Sequence, residues 1–401
     1  MRHKQVQLQR SLSVPMLLLY GLGNILGAGI YVLVGKVAGA ADMQTPLAFL
    51  IAMGIAGLTA LSYMELSSRF PQSAGSALYT YHAFRSRLLS LGVGLAFVLA
   101  GITSASALSH GFAGYLGTIM TVDPLIASIA IIVILTGVTL LGIGQSAMMA
   151  VIFTLIEAAG LLLIIVLGLP YLPSVPLEQT VTIDSLATLG GVLTGAFLAF
   201  YAFIGFEDMV NVAEETRNPR RTMPLAILGA LISATVLYML IVLVCLAAAT
   251  PDELAQSNAP LAFALERISS INPAVISVIG MAAALNGIIV QLIMGSRLLY
   301  GMAKQGWIPS VFATVEPRRH TPRFSTLIVA GFMLAGVIIL PLLSLAKTTS
   351  FLALGIFCLV NLSLVIIKRR TPTGKNIIRI PIAIPVLASI VSLGMIIQEI
   401  L

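Results

Sequence analysis

Eleven apolar stretches follow one another along this chain, and nothing else in it constrains the fold as strongly. Windows of about 20 apolar residues, the length that crosses a bilayer as a helix, place spans at 14–40, 46–69, 88–119, 123–142 and 146–170. A second set runs at 187–216, 222–249, 272–303, 325–344 and 348–368, with an eleventh at 377–399. The connections are short except "YLPSVPLEQTVTIDS" and "TPDELAQSNAPLAFALERISSIN", and the second of these predicts a short helix outside the bilayer. Only 9 % of the 401 residues are charged, too few to cover a soluble globule of that size. No soluble domain is expected. The apolar run after the basic N-terminus is too long and too glycine-rich for a cleaved signal peptide. Cys245 and Cys358 both lie in apolar runs, so no disulfide framework is expected.

The formal charge of +7 raises the question of a polyanionic partner. With the N-terminus placed in the cytoplasm, 19 of the 22 basic residues fall on the inner side, from Arg2, Lys4 and Arg10 to Lys375 and Arg379. Only Lys36, Arg267 and Lys347 remain outside. This is the positive-inside bias of a multi-pass membrane protein, and it accounts for the basicity without nucleic acid. The odd span count puts Leu401 outside, unless a twelfth span is missing.

The stretch "GLGNILGAGIYVLVG", Gly21 to Gly35, admits three readings. A dinucleotide-binding loop needs a strand before the glycines and an acid about 20 residues on; here "SVPMLLLY" is a helical membrane run and Asp42 falls in an outer turn. Small residues at Gly23 and Gly27 also suit close helix packing. The third reading is a helix broken at mid-membrane. Irregular backbone there is tolerated only where it lines a cavity, and the amides that open the second half-helix attract a carboxylate.

Transporters with inverted repeats carry paired interruptions at corresponding places in both halves. Five spans on, "GGVLTGAFLAFYAFIGFEDMVNVAEETRNP" has Gly205 in mid-span, followed by Glu207 and Asp208. Each acid costs about 2.5–3.5 kcal/mol there on insertion scales, a cost compatible with a segment facing water or ligand. Spans 1 and 6 are therefore both expected to be interrupted.

Four motifs now carry a resemblance. "GNILGAGIYVLVGKVAG" and "FYAFIGFEDMVNVAEETRNPRRTMPLAI" resemble the first and sixth spans of the amino acid–polyamine–organocation superfamily. "YMELSSRFPQSAGSALYTYHAF" is similar to its second-to-third-span connection, and "GSRLLYGMAKQGWIP" to the end of its eighth span. The resemblance covers about residues 13 to 325. It implies an all-α polytopic membrane protein with the leucine-transporter fold, a 5+5 inverted repeat with spans 1 and 6 discontinuous and about 11 transmembrane helices. The expected divisions are a cytoplasmic tail at 1–13, repeats at 14–170 and 187–368, and an added helix at 377–401. It also implies alternating access and an amino acid bound between spans 1 and 6.

By physics and resemblance together, the amides around Gly27, Ala28, Gly29 and Ile30 are expected to hold the substrate carboxylate. Carbonyls near Tyr201, Ala202 and Ile204 are expected to hold the ammonium. Asn24, with its neighbour Ile25, matches an asparagine position in the first-span motif of arginine–agmatine exchangers; the plainer reading is a bond to a neighbouring helix. Tyr201 sits where related exchangers have an aromatic gate, against a default of packing. Glu207 matches an acidic position beside the break and is a candidate for proton coupling; its plainer role is to cap the second half of span 6.

Glu157 lies at the centre of span 5, where superfamily members independent of sodium often place a lysine. The opposite charge here leaves it either a coupling residue or a structural hydrogen-bond partner. Glu65 and Arg69 at the inner end of span 2 read as a gating ion pair, as do Glu214 and Glu215 with Arg217, Arg220 and Arg221. Thr103 and Ser104 face the pocket by position alone, and His110 reads as a packed histidine. Span 8 around Val290 is apolar apart from Asn286 and Gln291, so the pocket is expected to be poor in acids and to suit neutral amino acids.

There is no H-E-x-x-H, paired C-x-x-C, Walker A or G-x-S-x-G pattern, and His3, His82, His110 and His320 are scattered. No catalysis, metal or cofactor is expected. The expected partners are an amino acid, the bilayer and a coupling ion, proton or sodium. The expected place is the plasma membrane. A polyamine or organocation carrier is the alternative within transport, and a membrane-bound nucleotide-using enzyme the alternative outside it.

Overall fold

The structure is a computed structural model that describes residues 12–71, 75–140, 147–316, 321–371 and 377–400. The tail at 1–11, with Arg2, Lys4 and Arg10, lies outside the described residues, as do Arg318, Arg319 and Lys375 and the side chains of Ala28, Glu214 and Glu215.

The described chain is helical throughout. The first repeat expected from sequence contains α1 (Val14–Ala41), α2 (Thr45–Arg69), α3 (Gly75–Phe84), α4 (Arg87–Leu116), α5 (Pro124–Leu140) and α6 (Ala147–Gly168). After the short α7 (Leu177–Val181) come α8 (Leu186–Phe203), a 3₁₀ segment Phe206–Glu215, and α9 (Pro219–Ala248). Then follow α10 (Pro251–Gln256), α11 (Pro260–Ile268), α12 (Ala274–Lys304), α13 (Arg323–Ile339), α14 (Leu342–Arg370) and α15 (Ala383–Ile400). Among the described residues, eight helical stretches are long and apolar enough to cross a membrane, and shorter apolar helices cover 14–27, 124–140 and 323–339.

Three expectations are corrected. The loop after span 7 holds two short helices, α10 and α11, rather than one, because Thr250 opens the first with a capping box and Pro260 starts the second. The boundary between the ninth and tenth spans falls at Leu340–Pro341, so residues 342–344 begin α14. The connection from span 2 to span 3 contains a ten-residue helix of its own, α3.

Both interruptions are present. Inside α1 the helical dihedrals fail at Gly27, with φ 1° and ψ −173°. α8 ends at Phe203, Ile204 is extended, and Gly205 takes φ 128° before the 3₁₀ segment begins. A φ of this kind suits glycine, which has no Cβ to clash. Tight packing then joins the breaks. An ideal Cβ on Gly205 would stand 2.5 Å from the Asn24 carbonyl oxygen, and one on Gly29 would stand 3.0 Å from the Ala202 Cα.

Breaking two helices leaves carbonyls without their partners four residues on, and inside a bilayer each such group is costly. Tyr238 of α9 offers its single O–H proton within reach of one carbonyl from each span. Its buried hydroxyl lies 2.6 Å from the Ile25 carbonyl oxygen and 2.9 Å from that of Ala202. A second set of hydroxyls fixes the C-terminal half of α1: Tyr115 donates to the Tyr31 carbonyl and Tyr31 donates to the Glu157 carbonyl, each at 2.6 Å.

Candidate functional site

A cavity of about 60 Å³ lies between the breaks. On the measure by which one water needs about 10–15 Å³, it takes about four waters or a cargo of few heavy atoms. From α1 it is lined by Gly23, Asn24, Ile25, Gly27 and Gly29. Tyr201, Ile204, Gly205 and Asp208 line it from the interrupted sixth span. Ser104 and Leu108 of α4 and Asn286, Gly287, Val290 and Gln291 of α12 close the other side.

The residues expected from sequence divide into those that reach this cavity and those that do not. Asn24, Ile25, Gly27, Gly29, Tyr201, Ile204 and Val290 line it. Ile30 is fully buried away from it, and Ala202 does not line it because its carbonyl turns to Tyr238. Thr103 is a correction: its hydroxyl meets that of Thr349 on α14 at 2.7 Å, so it faces the neighbouring helix. Its neighbour Ser104, about 100° further round α4, lines the cavity, and its hydroxyl lies 3.0 Å from that of Tyr201. The Tyr201 hydroxyl also donates to the Ser104 carbonyl at 3.1 Å. α8 is thereby tied to α4 across one wall of the cavity.

The acids are arranged differently from the expectation. Glu207 turns back on the break, where its Oε2 accepts the Gly205 N–H at 2.8 Å. This is the geometry of a cap, favourable because a helix N-terminus draws negative charge. Asp208, the next residue, lines the cavity with Oδ1 buried and unpartnered. The pocket is therefore not free of acids, and the premise that favoured neutral cargo is weakened. Nothing in the sequence separated two adjacent carboxylates, because the segment after Gly205 winds as 3₁₀ rather than α and its facing depends on that pitch.

Glu157 is fully buried behind the cavity wall. Its Oε1 accepts from Asn286 Nδ2 at 3.3 Å, while Oε2 has no hydrogen-bond partner. His110 lies 3.2 Å from the Leu340 carbonyl, a packing role.

At the C-terminal end of α2 the Glu65–Arg69 pair is present at 2.7 Å, and sequence reasoning missed its larger half. Glu65 also takes Lys368 of α14 at 2.7 Å and the Ile380 N–H at 2.8 Å. Lys368 sits 303 positions away, beyond the reach of local spacing. The pair therefore belongs to a buried cluster joining α2, α14 and the start of the last span. Among the described residues no group of three or more His, Cys, Asp or Glu stands close enough to hold a metal ion.

Two spans broken side by side around one cavity define a membrane transporter built on discontinuous helices. Comparison with known proteins narrows this class. The family described as amino acid permease matches residues 12–398. The chain belongs to that family: it is a multi-pass membrane permease rather than an enzyme. It is 27 % identical to a methylthioribose transporter and 26 % identical to a branched-chain amino acid permease, both of Bacillus subtilis. These alignments cover 94 % and 95 % of this chain and 85 % of each relative. It is 30 % identical to a vacuolar cationic amino acid transporter of Arabidopsis thaliana over 91 % of this chain, spanning 61 % of that relative.

Proposed function

We propose that this permease carries small neutral amino acids across the plasma membrane by alternating access, with its N-terminus in the cytoplasm. The observation that carries the reading is the meeting of the two helix breaks, with the Asn24 carbonyl set against Gly205 at one wall of the cavity. In this reading the amides at Gly27, Ala28, Gly29 and Ile30 take the carboxylate, and freed backbone near Tyr201 and Ile204 takes the ammonium. The volume of about 60 Å³ supports a small side chain.

The halves at 14–170 and 187–368 act as paired repeats that rock about this site. Tyr201, bonded to Ser104, serves as the gate on one side. Glu65 and Arg69, with Lys368, hold the inner end. Glu157 carries the coupling to a proton or cation, a role supported by its burial at mid-span with one oxygen unpartnered. Glu207 holds the break of the sixth span through the Gly205 amide.

A second reading, an organocation as cargo, is favoured by one observation, the unpartnered Asp208 in the lining. Uptake of labelled alanine and leucine into proteoliposomes, with and without proton or sodium gradients and with amino acids or amines as competitors, tests both. Competition by amines but not by amino acids would replace the first reading with the second.

A further inference from the structure

Asn24 and Asp208 stand on the two interrupted spans and line one cavity. Each presents a buried polar atom with no partner, Nδ2 of Asn24 and Oδ1 of Asp208. The two atoms have opposite sense, one a donor and the other an acceptor. Asp208 is only 5 % exposed, and no Lys, Arg or His forms an ion pair with it among the described residues. Its neighbour Glu207 is engaged by the Gly205 amide, and Asn286 gives its amide to Glu157. A buried carboxylate is ordinarily paired, because burial strips it of water. Asp208 has no such pair among the described residues.

We propose that Asp208 is the charged cation acceptor of the cargo site, added to the backbone groups: a primary ammonium group of the cargo lies against Oδ1 as well as the freed carbonyls of the sixth span, while Asn24 Nδ2 donates to its carboxylate end beside the amides of the first-span break. This rests on the reading of the cavity as a cargo site and names the chemistry it selects, a compact zwitterion. A hard metal cation is disfavoured, because it takes six or more oxygen ligands and Asp208 is the single carboxylate of the lining. The backbone at Gly205 sets the arrangement. Its φ of 128° turns the chain so that Glu207 folds back and Asp208 faces inward.

The test uses the purified full chain and labelled alanine, leucine and lysine, with lactate and propionate as competitors that keep the carboxylate and lose the ammonium. Wild-type protein binds at least one of the three amino acids, and lactate and propionate fail to displace it. Asp208→Asn weakens that binding about 10- to 100-fold, and Asp208→Glu restores part of it. Carbodiimide modification of the wild-type protein, mapped to the Asp208 peptide by mass spectrometry, needs no variant to fold; alanine or the preferred amino acid slows it and lactate does not. Wild-type affinity in Asp208→Asn, or labelling indifferent to the amino acid, overturns the proposal. Protection by sodium chloride alone overturns the ammonium assignment. A wild-type protein that binds none of the three removes the cargo reading as well, whereas amino acid binding untouched by Asp208→Asn removes only this inference.

Discussion

The carbonyl oxygen of Asn24 occupies the space that a side chain on Gly205 would need, 2.5 Å from an ideal Cβ. The two breaks are thus a single packed feature, and glycine is required at its centre for two reasons, the close approach and the φ of 128°. Replacing Gly205 with Ala is expected to cost about 1–3 kcal/mol in backbone strain, with the clash added. Thermal melts of the purified protein check this, and a variant melting with the wild type would show that the breaks tolerate separation.

Tyr238 supplies the hydroxyl that both broken helices use. Tyr238→Phe keeps the ring and its edge contacts with Phe49 and Phe203 but leaves carbonyls of Ile25 and Ala202 unpaired. The expected loss is about 1–3 kcal/mol for the one donor removed, read as a lowered melting temperature together with weaker amino acid binding. A fall in stability with unchanged binding would restrict the hydroxyl to a structural role.

Glu157→Gln keeps the hydrogen bond to Asn286 and removes the charge. If coupling runs through this carboxyl, the pH or cation dependence of uptake flattens while binding at saturating substrate persists. An unaltered profile would leave Glu157 as a hydrogen-bond partner of α12 alone.

Glu65 pairs with two cations in a place where its own side chain is fully buried. Glu65→Ala removes the carboxylate that Arg69 and Lys368 share, a loss of about 3–5 kcal/mol for a broken buried pair. Hydrogen exchange should rise at Ile380, whose N–H bonds to Glu65, before it rises in the helices around the cavity. Uniform loss of protection would show that the cluster supports the whole bundle.

Glu253 lies outside the membrane-spanning helices, in the capping box of α10. Bonds from the Thr250 backbone and side chain, with Arg267 adding to them, hold its carboxyl below the ordinary 4.5. A depressed folded-state value stabilises above the unfolded value and is lost as pH falls through the folded one. Amides of residues 251–256 are therefore expected to exchange at constant protection above pH 4.5 and to lose it only below. Early loss at pH 6 would separate the cap from this carboxylate.

The breaks themselves were legible from local chemistry. Glycines clustered at mid-span in one run, and a glycine followed by two acids five spans on, have few other uses inside a bilayer. What sequence reading missed was orientation. Thr103 and Ser104 are neighbours whose side chains point about 100° apart on an α-helix, and Glu207 and Asp208 stand about 120° apart on a 3₁₀ segment, so an error of one residue exchanges a cavity wall for a helix contact. Apolar periodicity, which orients helices in water, gives little help here, since lipid is as apolar as the protein interior.

The amino-acid sequence alone determined that the chain spans a membrane many times and where its first and sixth spans fail, because both follow from the cost of charge and bare backbone in hydrocarbon. Long-range packing set the rest: Asp208 rather than Glu207 lines the cavity, the Tyr238 hydroxyl stands between the two breaks, and Lys368 joins the pair at Glu65. Those choices depend on contacts between residues far apart in the chain, and on a 3₁₀ pitch that no local pattern announces.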